Sequence, residues 1–197
     1  MNTKPHHITP KQALDKLLEG NQRFFSGEAL HTHQDEITRR RIASGQHPFA
    51  IILGCSDSRV PPELIFDQGL GDLFVVRVAG NLVDSFVLGS IEFALSNFHC
   101  PLILVLGHTY CGAVQATVEG ENAPGCIADL VNCIHPIVEQ VKDLPGDLLE
   151  NATRAHVKKM ATILSESKPI IQPLIQKGKL VVKAGIYDLI SGDVTLL

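Results

Sequence analysis

Phe49-Ala50-Ile51-Ile52-Leu53 is an unbroken apolar run, too short for a buried helix and lacking the alternation of a half-solvated strand. Runs of this kind belong to strands covered on both faces. Leu73-Phe74-Val75-Val76-Arg77-Val78 and Leu102-Ile103-Leu104-Val105-Leu106 repeat the pattern, and Leu180-Val181-Val182-Lys183-Ala184 supplies a fourth strand. Between the second and third runs, Asp84 to about Phe98 places Val87, Leu88, Ile91 and Leu95 at helical spacing. Strand, helix and strand in alternation confine the chain to an α/β fold. The expectation is a mainly parallel β-sheet of about four strands, with right-handed crossovers and flanking helices.

The segments around this frame read as follows. Thr9, Pro10 and Gln12 have the pattern of a helix N-terminus, and Ala13, Leu14, Leu17 and Leu18 share one face of the helix predicted to about Phe25. A second helix is expected over about Gln34–Ala43, ending near Ser44-Gly45. Residues 1–45 thus form a helical arm, and residues 46–197 the α/β core, of a single domain. Ile127, Leu130, Val131, Ile134 and Val138 form a helical stripe with a kink expected at Pro136. Asp147 is placed to cap a helix reaching about Ser165, before Pro169 and Pro173 interrupt the pattern. Ile186–Leu196 is expected to add an edge strand or hairpin around Ser191-Gly192-Asp193.

Charge and cysteine count narrow the function classes. The net charge of −4 argues against nucleic-acid binding driven by phosphate neutralisation, and Arg39–Arg41 reads as a solvated helix face. Five cysteines cannot pair completely within one chain, and a core this size needs no disulfides. Met1–His7 is polar and lacks a signal-peptide apolar stretch, and no run approaches the roughly 18 apolar residues of a membrane span. A reducing, cytoplasmic setting without membrane attachment is expected.

The residues with chemical potential sit after two of the strands. Cys55-Ser56-Asp57-Ser58-Arg59 follows the first run, and His108-Thr109-Tyr110-Cys111-Gly112 follows the third. Ligands in an open parallel sheet collect beyond the carboxyl ends of the strands. If the first stretch stays extended, Cys55, Asp57 and Arg59 point to one side. A helix starting near Cys111 would favour that sulfur's thiolate. Two thiolates and an imidazole make three zinc ligands, which leaves a position for water or substrate, as in catalytic sites. Zinc can lower the pKa of bound water to about 7, and Asp57, held by Arg59, could orient the resulting hydroxide.

CSDSR and HTYCG, with 52 residues between Cys55 and His108, resemble the two zinc signatures of β-class carbonic anhydrases. The resemblance continues through DLFVVRVAGN to YDLISGDV near the C-terminus. It implies Cys55, His108 and Cys111 as ligands of one Zn2+ per subunit and Asp57 with Arg59 as the catalytic dyad. It further implies that the α/β fold forms a homodimer or dimer of dimers through its helical arms, with both subunits lining each site. Gln46 matches a substrate-binding amide from the partner subunit, Phe74 an aromatic pocket wall, and Gly112 a point of close backbone approach. Some members hold bicarbonate in a non-catalytic pocket built from a tryptophan, an arginine and a tyrosine. Arg77 and Tyr187 match the last two, but Ile52 stands at the tryptophan position. An open site with Asp57 paired to Arg59 is therefore expected.

The expected function is reversible hydration of CO2 to bicarbonate and a proton through zinc-bound hydroxide. The alternatives are hydrolysis of carbonyl sulfide or carbon disulfide on the same fold, or a non-catalytic zinc- or bicarbonate-binding role. Other signals receive simpler readings. Cys100, Cys126 and Cys133 are expected to pack in the core, and His6, His7, His31 and His33 to lie on a flexible polar arm. The Asn151-Ala152-Thr153 sequon falls in a predicted helix, and Gly69-Leu70-Gly71 lacks the rest of a phosphate loop.

Overall fold

A computed structural model describes residues 8–120 and 123–197. The sheet comprises β1 (Ala50–Gly54), β2 (Leu73–Arg77), β3 (Leu102–His108), β4 (Val181–Tyr187) and β5 (Val194–Leu196), in the order β2-β1-β3-β4-β5. The first four are mutually parallel, and β5 returns antiparallel to β4. This is the mainly parallel α/β architecture expected, with the C-terminal edge strand as a fifth member.

The helices are α1 (Pro10–Ser26), α2 (Glu36–Ile42), α3 (Pro62–Ile65), α4 (Ser85–Phe98), α5 (Gly112–Glu119), α6 (Ile127–Val141), α7 (Leu148–Glu166) and α8 (Ile171–Gln176). Their starts follow from local chemistry. Thr9 and Gln12 form a reciprocal capping box, while Asp35, Asp84 and Asp147 each accept an N–H of the first turn. The short α3 and α8 carry too little periodicity to be read from sequence, and Pro136 lies inside α6 without ending it.

Alternate residues of β1 and β3 enter two separate apolar layers. Ala50, Ile52, Leu102, Leu104 and Leu106 pack with Ala13 and Leu17 of α1, Val114 of α5, and Ile134 and Val138 of α6. Ile51, Leu53, Ile103 and Val105 pack on the other face with Val87 and Ile91 of α4 and Val157, Met160 and Leu164 of α7. Both faces are covered, which is why the runs have no polar alternation. The second run behaves differently: β2 is only half buried, because as an edge strand it has β1 on one side alone.

Helix α1 is tied firmly to this core. Asn21 donates to the carbonyls of Ile65 and Gly192 and accepts the Val194 N–H, linking α1 to both ends of the chain's core. Asp67 accepts N–H bonds from Leu30 and His31 and pairs with Arg23 at 2.6 Å. His33 pairs with Asp72 at 2.7 Å, which corrects the picture of a free polar arm at that histidine. His6 and His7 lie outside the described residues. Arg39, Arg40 and Arg41 are exposed on α2, as expected of a solvated face. Among the described residues, no helix is long and apolar enough to cross a membrane.

Candidate metal centre

Cys55 directly follows β1, His108 ends β3, and Cys111 is the N-cap of α5. Parallel pairing of β1 with β3 brings both carboxyl ends to one edge, so residues far apart in sequence meet there. The ligand atoms of Cys55, His108 and Cys111 all lie within 4.8 Å of one another, and all three residues are buried.

The donor set fits a thiophilic divalent cation. His108 Nδ1 lies 2.9 Å from the Thr109 carbonyl, which can only accept, so this nitrogen carries the proton. Nε2 then presents a bare lone pair, buried and without a hydrogen-bond partner among the described residues. Burying such an atom unsatisfied is costly unless it serves as a ligand. Cys55 Sγ accepts the N–H groups of Asp57 at 3.5 Å and Gly80 at 3.4 Å.

The two thiols also interact. The Cys111 thiol beside Cys55, with two backbone N–H groups, lowers the Cys55 pKa despite burial. Cys111 is raised correspondingly, by donating toward Cys55 and by burial. The N–H groups of Ala113 and Val114 favour the Cys111 thiolate, as expected at a helix start, but are outweighed. A divalent cation would relieve this by accepting both sulfurs as thiolates.

Asp57 and Arg59 come together by a different route from the extended alternation expected. Asp57 Oδ1 accepts the Arg59 backbone N–H at 2.9 Å, and the Val60 N–H bonds the Asp57 carbonyl. The segment is thus a turn, favoured because a short carboxylate captures the N–H two residues on. Arg59 Nε donates to Oδ1 at 2.9 Å and Nη2 to Oδ2 at 2.7 Å, a bidentate pair. That side-chain bonding, aided by the Arg59 N–H, holds the Asp57 carboxyl well below the usual carboxylate range. Asp57 Oδ2 stands 4.0 Å from His108 Nε2.

Sequence reasoning missed the role of Arg77 in this loop. Its Nε donates to the Cys55 carbonyl at 2.9 Å and its Nη2 to the Asp57 carbonyl, so one guanidinium grips the backbone on both sides of Ser56. Its place at the end of β2, beside Gly54 of β1, was the available signal. Ile52 is fully buried in the sheet, and Tyr187, paired in register with His108, packs its ring against Phe24.

Gln46 and Phe74 do not join the cluster within one chain. Gln46 is exposed before β1, at the end of that strand opposite Cys55. Phe74 pairs with Ile51 near the start of β2 and packs on Phe98 with ring centroids 6.0 Å apart. Gly112 lies beside Cys111, but a Cβ there would meet nothing within 4 Å, so no close approach requires glycine in the isolated chain. Cys100 is buried and its thiol is pushed up to about 12 by burial. Cys126 and Cys133 are exposed, which corrects the core role expected for them. Cys126 sits at the N-cap of α6 and Cys133 on its outward side, the buried side carrying Ile134, Ile137, Val138 and Val141.

Residues 50–194 match the sequence profile of a family described as carbonic anhydrase. The chain is 41% identical over 194 residues to carbonic anhydrase 2 of Mycobacterium tuberculosis, covering 96% of this chain and 94% of that protein. It is 38% identical over 191 residues to carbonic anhydrase of Mycolicibacterium smegmatis, covering 95% and 93%. Among solved structures, the β-carbonic anhydrase CcaA superposes with a TM-score of 0.73 at 29% identity, over 93% of this chain and 94% of that one. A tetrameric β-carbonic anhydrase from Sordaria macrospora shares the fold with a TM-score of 0.76 at 23% identity, over 93% and 96%.

Proposed function

The chain belongs to the β-class carbonic anhydrase family, and on that premise we propose that Cys55, His108 and Cys111 hold one zinc ion per subunit. The chain is an enzyme of reversible CO2 hydration. The observation that supports the metal assignment is the buried Cys-His-Cys cluster with its unpartnered His108 Nε2. Bound zinc supplies a Lewis acid that makes a nucleophile from water near neutral pH. Hydrolysis of carbonyl sulfide or carbon disulfide, or a non-catalytic binding role, is not favoured, since the matched relatives are named carbonic anhydrases.

Asp57 is the residue placed to act on the water. Its carboxylate, kept ionised by Arg59, accepts a hydrogen bond at Oδ2 and orients the attacking lone pair toward CO2. Because Arg59 occupies both carboxylate oxygens, Asp57 is held beside the ligands rather than among them. Arg77 fixes the loop that carries Cys55 and Asp57. CO2 is small and neutral, so the site needs no charged recognition group.

The pocket requires a second copy of the chain. A cavity of about 410 Å3 borders the loop between His108 and Cys111, lined by Thr109, Tyr110, Thr153, Arg154 and Asp188, but no member of the cluster lines it. The working enzyme is a homodimer or dimer of dimers, acting in the cytoplasm, whose partner subunit contributes a substrate-binding amide from Gln46, with Phe74 as an aromatic wall of the pocket. Exposed Phe86 and Phe93 on α4 support assembly of this kind.

Stopped-flow CO2 hydration with zinc quantification tests the reading. Zinc near one per chain with measurable hydration between about pH 7 and 9 is expected. Asp57→Asn should retain zinc and lose about 10²-fold or more in rate. Stoichiometric zinc without hydration would overturn the catalytic assignment, and light scattering that finds only monomer in the active protein would overturn the shared pocket.

A further inference from the structure

His156 is a buried histidine to which the reaction assigns nothing. It lies on α7, far from the metal ligands in sequence, and is 1% exposed. Its Nε2 is 2.6 Å from the Gly80 carbonyl, and its Nδ1 has no partner among the described residues. A carbonyl only accepts, so Nε2 carries the proton and this single bond is the polar contact of the whole ring. Desolvation outweighs the Gly80 bond and lowers the imidazole's pKa, which favours the neutral ring with its proton on Nε2.

Gly80 connects that contact to the metal centre. It sits in a 3-10 turn over Ala79–Asn81, and its N–H points at Cys55 Sγ from 3.4 Å. Its φ of 67° lies in the left-handed region, and a Cβ there would come within 3.2 Å of Ala113 and 3.3 Å of Ile134. Glycine is therefore required, yet glycine also has the loosest backbone torsions of any residue. The N–H and the carbonyl of Gly80 belong to different peptide units joined by those torsions. A clamp on the carbonyl restricts where the N–H can aim.

We infer that His156 is a positioning residue for the metal centre, holding the Gly80 turn so that its N–H remains directed at Cys55 Sγ. The inference rests on Cys55 being a zinc ligand. Outer contacts of this kind fix a thiolate's orientation and moderate its charge, and their loss typically weakens metal binding by about 10- to 100-fold. His156 acts through Gly80 and touches neither substrate nor the reacting atoms.

The test is zinc affinity by competition with a chromophoric chelator, for wild type, Cys55→Ser, His156→Phe and His156→Gln. His156→Phe fills the space without the donor and should raise the zinc dissociation constant about tenfold. His156→Gln restores an N–H donor and should recover most of that loss. In the cobalt-substituted protein, the thiolate-to-metal charge-transfer band should move in His156→Phe and return in His156→Gln. Wild-type affinity and spectrum in folded His156→Phe, or no recovery in His156→Gln, would overturn the inference while leaving the zinc site intact. A wild type without zinc, or an unaffected Cys55→Ser, would remove both. Nitrogen-15 NMR of the wild type gives a reading that needs no variant: Nε2 protonated and Nδ1 bare is expected, and the opposite tautomer refutes the clamp.

Discussion

Gly107→Ala probes the seam on which the Cys-His-Cys cluster is built. Gly107 lies in β3 immediately before His108, and a Cβ added there would stand 2.2 Å from Val157 Cγ2 and 3.1 Å from Ile186 Cδ1. Comfortable carbon–carbon contact is roughly 3.5–4.0 Å, so the Val157 methyl must retreat by about 1.3 Å or more. Val157 is fully buried and β-branched, so it cannot rotate aside cheaply. The displacement falls instead on the packing of α7 against β3. Overpacking of this kind costs about 1–3 kcal/mol, while replacing a mid-strand glycine returns only roughly 0.5–1 kcal/mol. The clash wins, and a net loss of about 1–2 kcal/mol is expected.

Val157→Ala removes the obstructing methyl and supplies the control. Alone it should cost about 2 kcal/mol, from two buried carbons at roughly 0.8 kcal/mol each plus a small cavity. Independent effects would make the double variant about 3–4 kcal/mol less stable than wild type. If the two positions compete for one volume, the new methyl occupies the vacated space and the double variant loses no more than about 1 kcal/mol. Urea unfolding followed by circular dichroism, at fixed protein and zinc concentrations, measures the cycle. Zinc affinity should fall in Gly107→Ala and recover in the double variant, because His108 and His156 adjoin the two positions. Additive losses would refute the steric account of this seam.

Three further expectations follow from named contacts. Arg77→Gln removes the grip on the Cys55 and Asp57 carbonyls and should weaken zinc binding about tenfold and slow hydration, both read on the purified variant; unchanged affinity would contradict its holding role. Burial raises the Asp67 carboxyl, but the N–H groups of Leu30, Arg23 and His31 together outweigh it and leave the pKa lowered. A depressed folded pKa gives stability that is present above the ordinary value of about 3.9 and lost as pH falls through the folded value. Asp67→Asn should therefore be about 2–4 kcal/mol less stable at pH 7 and show a shallower loss in acid, measured by urea unfolding across pH. Ellman's reagent should modify Cys126 and Cys133 rapidly in the native protein and the buried Cys55, Cys100 and Cys111 slowly; slow modification of Cys126 and Cys133 would show that their exposure is wrong.

Much of this protein is decided by short stretches of sequence. Apolar runs without alternation require strands covered on both faces, and the pairing of β1 and β3 between two helical layers is the result. Asp84 and Asp147 cap their helices through bonds confined to one turn, so nothing distant is needed to predict those starts. CSDSR and HTYCG are legible as a metal site because the residue types and their position after strands restrict the chemistry. Tertiary structure decides what depends on residues brought together from afar. It closes the Asp57–Arg59 turn against the Cys-His-Cys cluster, sets Arg77 on the loop backbone, and brings α7 close enough to β3 for His156 to reach Gly80. It also leaves Cys126 exposed ahead of α6 and turns Cys133 outward, since which side of that helix is buried depends on its neighbours and not on spacing alone. The sequence determines the donors and the sheet that presents them; their hydrogen-bonded support exists only once separate elements pack, because each of those bonds joins partners that local chain geometry leaves apart.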